Sequence, residues 1–233
     1  DHTSIFGDKV RQIKCKRLKD LHKERKINVG KTFYESDMKP EVRCLSENYN
    51  GLDSPKLNIA FFDIETDFDA SRGFADPSDP FMPITAISVH LQWLDLLVTL
   101  VIPPKSMRSG EGLEEAQRIC EQFENTQLYL NEGDMLNDFL DVIEDADVLT
   151  GWNSEGYDIP YTVNRITEVL SKSHTRKLCL WELVPQKRRV VKYGKEQETF
   201  DLFGRIHLDY LELYRKYTYH EMHSYSLDAI GEY

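Results

Sequence analysis

The chain has 233 residues, 40% of them apolar and 30% charged, with 40 acidic against 29 basic side chains and a formal charge of -11. That length buries a real core, while no run approaches the roughly 18 uninterrupted apolar residues of a membrane span and the N-terminus lacks the apolar stretch of a secretory signal. A cytoplasmic protein without a membrane partner is expected, and Cys15, Cys44, Cys120 and Cys179 lie too far apart, with no CxxC or Cys/His pairing, to indicate a disulfide framework or a zinc site.

An acidic total does not settle the question of nucleic acid, because binding is decided by local patches. Basic residues cluster at 9–26 (KVRQIKCKRLKDLHKERK) and at 171–195 (SKSHTRK with QKRRVVKYGK). Each cluster reads equally well as a solvated face.

Residues 1 to about 55 are charged and mixed, with short helices expected at RLKDLHKERK and KPEVRCLSENY and no strand. The chain opens on DHTSIFGDKV without an initiator Met and closes on DAIGEY, so a piece of a longer protein is expected. From residue 57 the pattern turns to β: LNIAFFDIET, ITAISVHLQW and LLVTLVIPP are apolar runs with turn-rich or short links, which predicts an antiparallel three-strand meander. Alternation follows. TQLYLN reads as a short strand, EGDMLNDFLDVIEDA as a helix with Met135, Phe139, Val142 and Ile143 on one face, DVLTGW as a strand and IPYTVNRITEVLS as a helix. RRVVKYGKEQETF predicts a β-hairpin turning at Gly194, and HLDYLELYRKY and SYSLDAIGEY read as helical. The fold class expected is α/β, a mixed sheet flanked by helices with a hairpin insertion.

The first strand ends in acid. Residues i and i+2 of a strand share a face, so Asp63 and Glu65 project together. Two ionised carboxylates near a core need compensation, and a divalent cation supplies it; an exposed strand end is the plainer alternative. In DVLTGWNSEGYDIPY, Asp158 falls where a helix begins, with Pro160 in its first turn. Asp158 can serve simply as an N-cap. If DVLTGW lies beside the first strand, however, Asp158 arrives where Asp63 and Glu65 emerge. Hard oxygen ligands without His or Cys suit two Mg²⁺ or Mn²⁺ ions about 4 Å apart, the arrangement for in-line attack of water on a phosphodiester.

DIET at 63–66 and NSEGYD at 153–158 resemble the first two exonuclease motifs of family B DNA polymerases, Asp-x-Glu and Asn-x-x-x-Phe/Tyr-Asp, in order and separation. LTGWNSEGYDIPYTVNRI, TFDLFGRIHLDYLELYRKY and SYSLDAIGEY resemble in particular the replicative polymerases of large tailed bacteriophages. The likeness covers 57–233 well and 1–56 weakly, the latter as the end of an N-terminal polymerase domain. It implies a ribonuclease H-like 3′-5′ proofreading exonuclease acting on a single-stranded DNA 3′ end or primer-template, monomeric, joined to a polymerase domain of the same parent and working in the cytoplasm of an infected bacterium. By position, Asp63 and Glu65 would bind the ion that activates the nucleophile and Asp158 the ion that holds the scissile phosphate. Asn153 and Tyr157 would line the strand's path, Phe74 in SRGFADP would pack against bases, and Arg188, Arg189 and Lys192 on the hairpin would touch phosphates. For Phe74 the alternative is a loop residue folded onto the core.

The family's third motif, Tyr-x-x-x-Asp, is missing. YSLD at 225–228 is one residue short, so Asp228 is expected to be a helix residue and the exonuclease domain to break off before that motif. His220 and His223 are expected at the surface or in the core rather than in catalysis. Two other readings stay open: a non-catalytic DNA-binding or scaffold module, and a ribonuclease H-like nuclease for RNA or junctions.

Overall fold

The computed structural model describes residues 2–192 and 194–233, which fall into two compact units, Asp1–Pro55 and Lys56–Tyr233. In the first, β1 (His2–Thr3) pairs antiparallel with β2 (Lys9–Val10), and α1 (Leu18–Ile27) and α2 (Pro40–Asn48) follow. Neither helix buries a residue. Their apolar stripe is too thin for that, and local pairs such as Arg43 with Glu47 at 2.6 Å brace the surface instead. Pro40 opens α2 at a position where a missing N–H costs nothing. The two-residue strands are a correction to the expectation of none: they are too short to show any alternation.

The second unit contains β3 (Ile59–Thr66), β4 (Ile84–Leu91), β5 (Leu96–Val101), α3 (Gly110–Cys120), β6 (Thr126–Leu128), α4 (Glu132–Val142), β7 (Val148–Gly151), α5 (Asp158–Val169), β8 (Gln186–Lys192), β9 (Lys195–Asp201), β10 (Ile206–Asp209), α6 (Tyr210–Tyr217) and α7 (Leu227–Gly231). Six strands form one sheet in the order β10-β7-β3-β4-β5-β6. The β3-β4-β5 meander is antiparallel, whereas β6, β7 and β10 run parallel to their neighbours. β8 and β9 stand apart as an antiparallel hairpin. This is the expected mixed α/β architecture, consistent with a ribonuclease H-like fold. No described helix is long and apolar enough to cross a membrane.

Two elements depart from the sequence reading. HLDYLELYRKY begins as strand β10 before turning into α6, because Ile206–Asp209 find a parallel ladder on β7 and Asp209 then caps the helix through Leu211 N at 3.0 Å. α3 carries no clear signal in the sequence, since Gly110 and Gly112 obscure its period and it buries only Ala116.

The core lies between one sheet face and α4 and α5. Ala60, Phe62 and Ile64 of β3 and Ile87 and Val89 of β4 pack in one cluster with Met135, Phe139 and Ile143, with Val142 at its margin, and with Ile159, Tyr161 and Ile166 of α5. A partly buried ion pair orients α5: Arg165 meets Glu132 through Nε at 2.7 Å and Nη2 at 2.6 Å, and Glu132 Oε1 also accepts from Ile84 N at 2.9 Å. The starts of α4 and β4 and the body of α5 are thereby tied together, which fixes where the N-terminus of α5 points.

Candidate active site

β3 alternates strictly up to its bulge at Glu65/Thr66: Ala60, Phe62 and Ile64 face the core, while Phe61, Asp63 and Glu65 face outward. β7 runs beside β3 only over Ile59–Phe61, so the edge of β3 beyond that point has no ladder partner on this side. β7 approaches closely before it ends. A Cβ on Gly151 would stand 2.5 Å from Phe62 O and 3.1 Å from Ser154 Cβ, so only glycine lets the chain turn across the end of β3.

The turn is a compact loop. Asn153 adopts a left-handed conformation (φ 57°), and its carbonyl accepts from Gly156 N at 3.0 Å and Tyr157 N at 3.2 Å. Ser154 is buried, donating to Gly151 O at 3.2 Å and standing 2.9 Å from His207 Nε2. Tyr157 OH lies 3.2 Å from Thr66 Oγ1, and its ring stacks obliquely on Tyr161 at 5.3 Å. The loop thus bolts the start of α5 to the end of β3.

Asp158 sits at that junction, 3% exposed. The N-cap of α5 falls to Tyr157, which makes no side-chain capping bond. The Asp158 carboxylate instead reaches across and accepts from Ile64 N at 3.2 Å, taking the N–H that β7 leaves without a ladder partner. Burial, then the facing charge of Asp63, then more weakly that of Asp209, push the Asp158 carboxyl up to about 7 against two opposing backbone hydrogen bonds. Burial also raises Asp63 above the usual carboxylate range. Asp63 and Asp158 therefore share one electrostatic environment. Glu65 emerges two residues further along the same outward face. Among the described residues, no three His, Cys, Asp or Glu side chains are drawn together closely enough to hold a metal ion on their own.

The remaining sequence-predicted residues are spread around this junction. Asn153 is exposed and its backbone shapes the loop. Phe74 is 72% exposed in the loop after β3 and is not folded onto the core. Arg188 is engaged by acids: Nε donates to Asp201 Oδ1 at 2.8 Å and Nη2 to Glu155 Oε1 at 2.6 Å, which ties the hairpin to the loop that carries Asp158. Arg189 pairs with Glu196 and Glu198 at 3.5 and 3.8 Å. The side chain of Lys192 lies outside the described residues. His220 and His223 are exposed.

Two participants escaped the sequence reading. Asp209 is buried at the end of β10, where Oδ2 accepts from Glu155 N at 3.1 Å and its charge is felt at Asp158. Glu155, one of the unspecified positions of the Asn-x-x-x-Tyr-Asp pattern, carries the link to the hairpin. The signal for Asp209 was present: IHLD followed by a helix repeats the pattern of a strand ending in Asp, obscured by the helical look of the whole run.

A strand ending in Asp-x-Glu, a parallel neighbour, and a buried Asp at the following helix start together form the signature expected of one family, and residues 8–230 match DNA polymerase family B, exonuclease domain. The chain belongs to that family. Relatives of this exonuclease domain include the DNA-directed DNA polymerase of Escherichia phage RB69, 32% identical over 217 residues, covering 83% of this chain and 23% of the relative. The DNA-directed DNA polymerase of Enterobacteria phage T4 is 32% identical over 105 residues, 44% of this chain and 12% of the relative. The DNA polymerase catalytic subunit of Saimiriine herpesvirus 2 (strain 11) is more distant, 25% identical over 175 residues, 71% of this chain and 15% of the relative. The chain spans less than a quarter of the length of these relatives.

Proposed function

We propose that this domain removes nucleotides from the 3′ end of single-stranded DNA as the proofreading exonuclease of a DNA polymerase, with Asp63, Glu65 and Asp158 holding two divalent cations, Mg²⁺ or Mn²⁺. One observation carries the reading: a buried Asp158 carboxylate crosses from the start of α5 to Ile64 N, beside the raised Asp63. Such a pair resists double ionisation without a positive charge. The donors are all carboxylate oxygens, which suit hard cations rather than zinc. When bound, the two cations would lower the pKa of an attacking water and stabilise the leaving oxygen.

The chain's own residues supply position. Ile64 N orients Asp158, and the contact of Tyr157 with Thr66 keeps the start of α5 against β3. Asn153 and Tyr157 would line the path of the strand, and Phe74 offers an exposed face to a base without reading its identity. Arg188, Arg189 and Lys192 would meet phosphates, the two arginines by exchanging carboxylate partners for phosphate oxygens.

Residues 1–56 would belong to a preceding N-terminal domain, and a polymerase domain would share the parent protein. The third-motif carboxylate would come from outside this chain. Asp228 remains a helix residue in the first turn of α7, which Ser226 caps through Ala229 N at 3.4 Å.

The test is the shortening of a 5′-labelled single-stranded oligodeoxynucleotide with Mg²⁺ or Mn²⁺. Slow loss from the 3′ end, abolished by Asp63→Ala, is expected. Salt-sensitive binding indifferent to Asp63→Ala, without turnover, would assign a DNA-binding module instead; preference for RNA would assign a different nuclease. Robust activity abolished by Asp228→Ala would put the last ligand within the chain.

A further inference from the structure

β3 ends at Thr66, and two aromatic rings stand in solvent in the turn that follows. Phe68 and Phe74 are 52% and 72% exposed, yet they touch each other, with centroids 4.9 Å apart and planes crossed at 61°. The turn that carries them closes without their help. Asp69 Oδ1 accepts from Ser71 N at 2.8 Å, Ser71 Oγ at 2.6 Å and Arg72 N at 2.8 Å, and Gly73 N donates to Asp69 O at 2.7 Å. Gly73 takes the left-handed conformation (φ 83°) that sends the chain on to Phe74. Arg72 lies over the Phe81 ring at 3.5 Å and pairs with Asp79 at 3.3 Å, bracing the turn from outside. Neither ring is needed to bury the core. Both are presented.

Their distance from the carboxylates is bounded by the backbone: three residues span at most about 11 Å, so Phe68 Cα lies within that reach of Glu65. Crossed rings also have a shape. An edge-to-face pair makes an inside corner, with one ring as floor and the other as wall. A base lying on the floor has its far edge against the wall. A nucleotide in mid-strand has a 3′ neighbour that must pass where the wall stands, whereas a terminal nucleotide has none.

We infer that Phe68 completes an end-reading corner beside Phe74: with the 3′-terminal base on the face of Phe74, as the exonuclease reading has it, Phe68 blocks the continuation of the strand. The inference rests on the exonuclease reading above and deepens it: Phe68 is the residue that makes a free end preferable to any interior position. Ring faces and edges contact every base alike, so the preference is for ends, not for sequence.

The test compares the affinity of the 233-residue chain for a fluorescein-labelled linear oligothymidylate and for its circular form, in a chelator so that nothing is hydrolysed, by fluorescence anisotropy. The wild type is expected to prefer the linear form by about tenfold, within the range that one stacked ring supplies. Phe68→Ala should bring the ratio close to unity, Phe68→Tyr should keep it, and Phe74→Ala should weaken the linear form by roughly five- to hundredfold. An unchanged ratio in Phe68→Ala, or a wild type that binds both forms equally, overturns the corner and leaves the exonuclease reading standing. A wild type that binds neither overturns both.

Discussion

Asp158→Asn should stabilise the metal-free protein above neutral pH and do almost nothing at pH 4. The carboxyl is 3% exposed and its pKa rises from 3.8 to about 7 on folding. An acid whose folded pKa is raised gives its full contribution to stability below the unfolded value and loses it as pH climbs through the folded value, because the native state then holds a proton that the unfolded state has released. The window runs from about pH 4 to about pH 7, and at ~1.4 kcal/mol per pH unit the loss approaches about 4 kcal/mol. Asparagine keeps an oxygen to accept from Ile64 N at 3.2 Å and never ionises. With allowance for relaxation around the buried charge, the variant should gain about 2–4 kcal/mol at pH 8, a rise of roughly 5–15 °C in the unfolding temperature for a chain of this size. The assay is urea or thermal unfolding followed by circular dichroism in a chelator, at a series of pH values. Adding Mn²⁺ at pH 8 should close the gap by stabilising the wild type alone. Parallel stability curves for the two proteins across pH 4–8, or a variant weaker at pH 8, would refute the assignment of the buried charge.

Other consequences are more local. Asp63→Asn should bring the midpoint of the Asp158 titration, followed by carbon-13 NMR in the absence of metal, below about 7; Asp209→Asn should lower it less, in the order of their influence on Asp158. Gly151→Ala should cost about 1–3 kcal/mol in urea unfolding and abolish exonuclease activity, since the new methyl meets Phe62 O at 2.5 Å and pushes away the loop that leads to Asp158. Arg205→Met should be the reverse in kind. Its guanidinium is buried and donates to Ala146 O at 2.7 Å, Glu144 O at 2.8 Å and Lys177 O at 3.1 Å, so its loss should cost about 3–5 kcal/mol while Mn²⁺ affinity, measured calorimetrically on the folded protein, stays unchanged.

The meander, the parallel return of β7 and the start of α5 were legible because each is written in a strong local code: apolar runs parted by short links in β3, β4 and β5, the apolar Val148 and Leu149 ahead of a glycine loop, and Asp-x-Pro at a helix start. Pairing β7 with β3 then places Asp158 beside Asp63 with no further information. What escaped is set by long-range contact. β10 is a strand only because Val148–Gly151 offers it an edge. Asp209 reaches the site only through that pairing, and the carboxylate partners of Arg188, Asp201 and Glu155, lie on separate segments brought together when the hairpin seats on the loop. Even the purpose of Asp158 was ambiguous in one dimension. Capping and crossing to Ile64 N require the same residue type at the same place, and only the early end of β7, which leaves that N–H open, decides between them.

The most direct measurement is the anomalous scattering of a crystal grown with Mn²⁺ and a short single-stranded DNA. Density for manganese between Asp63, Glu65 and Asp158, adjoining the phosphate of the 3′-terminal nucleotide, is the expected result. Manganese elsewhere on the surface, with these three carboxylates turned to separate partners and the DNA end remote from them, would contradict it.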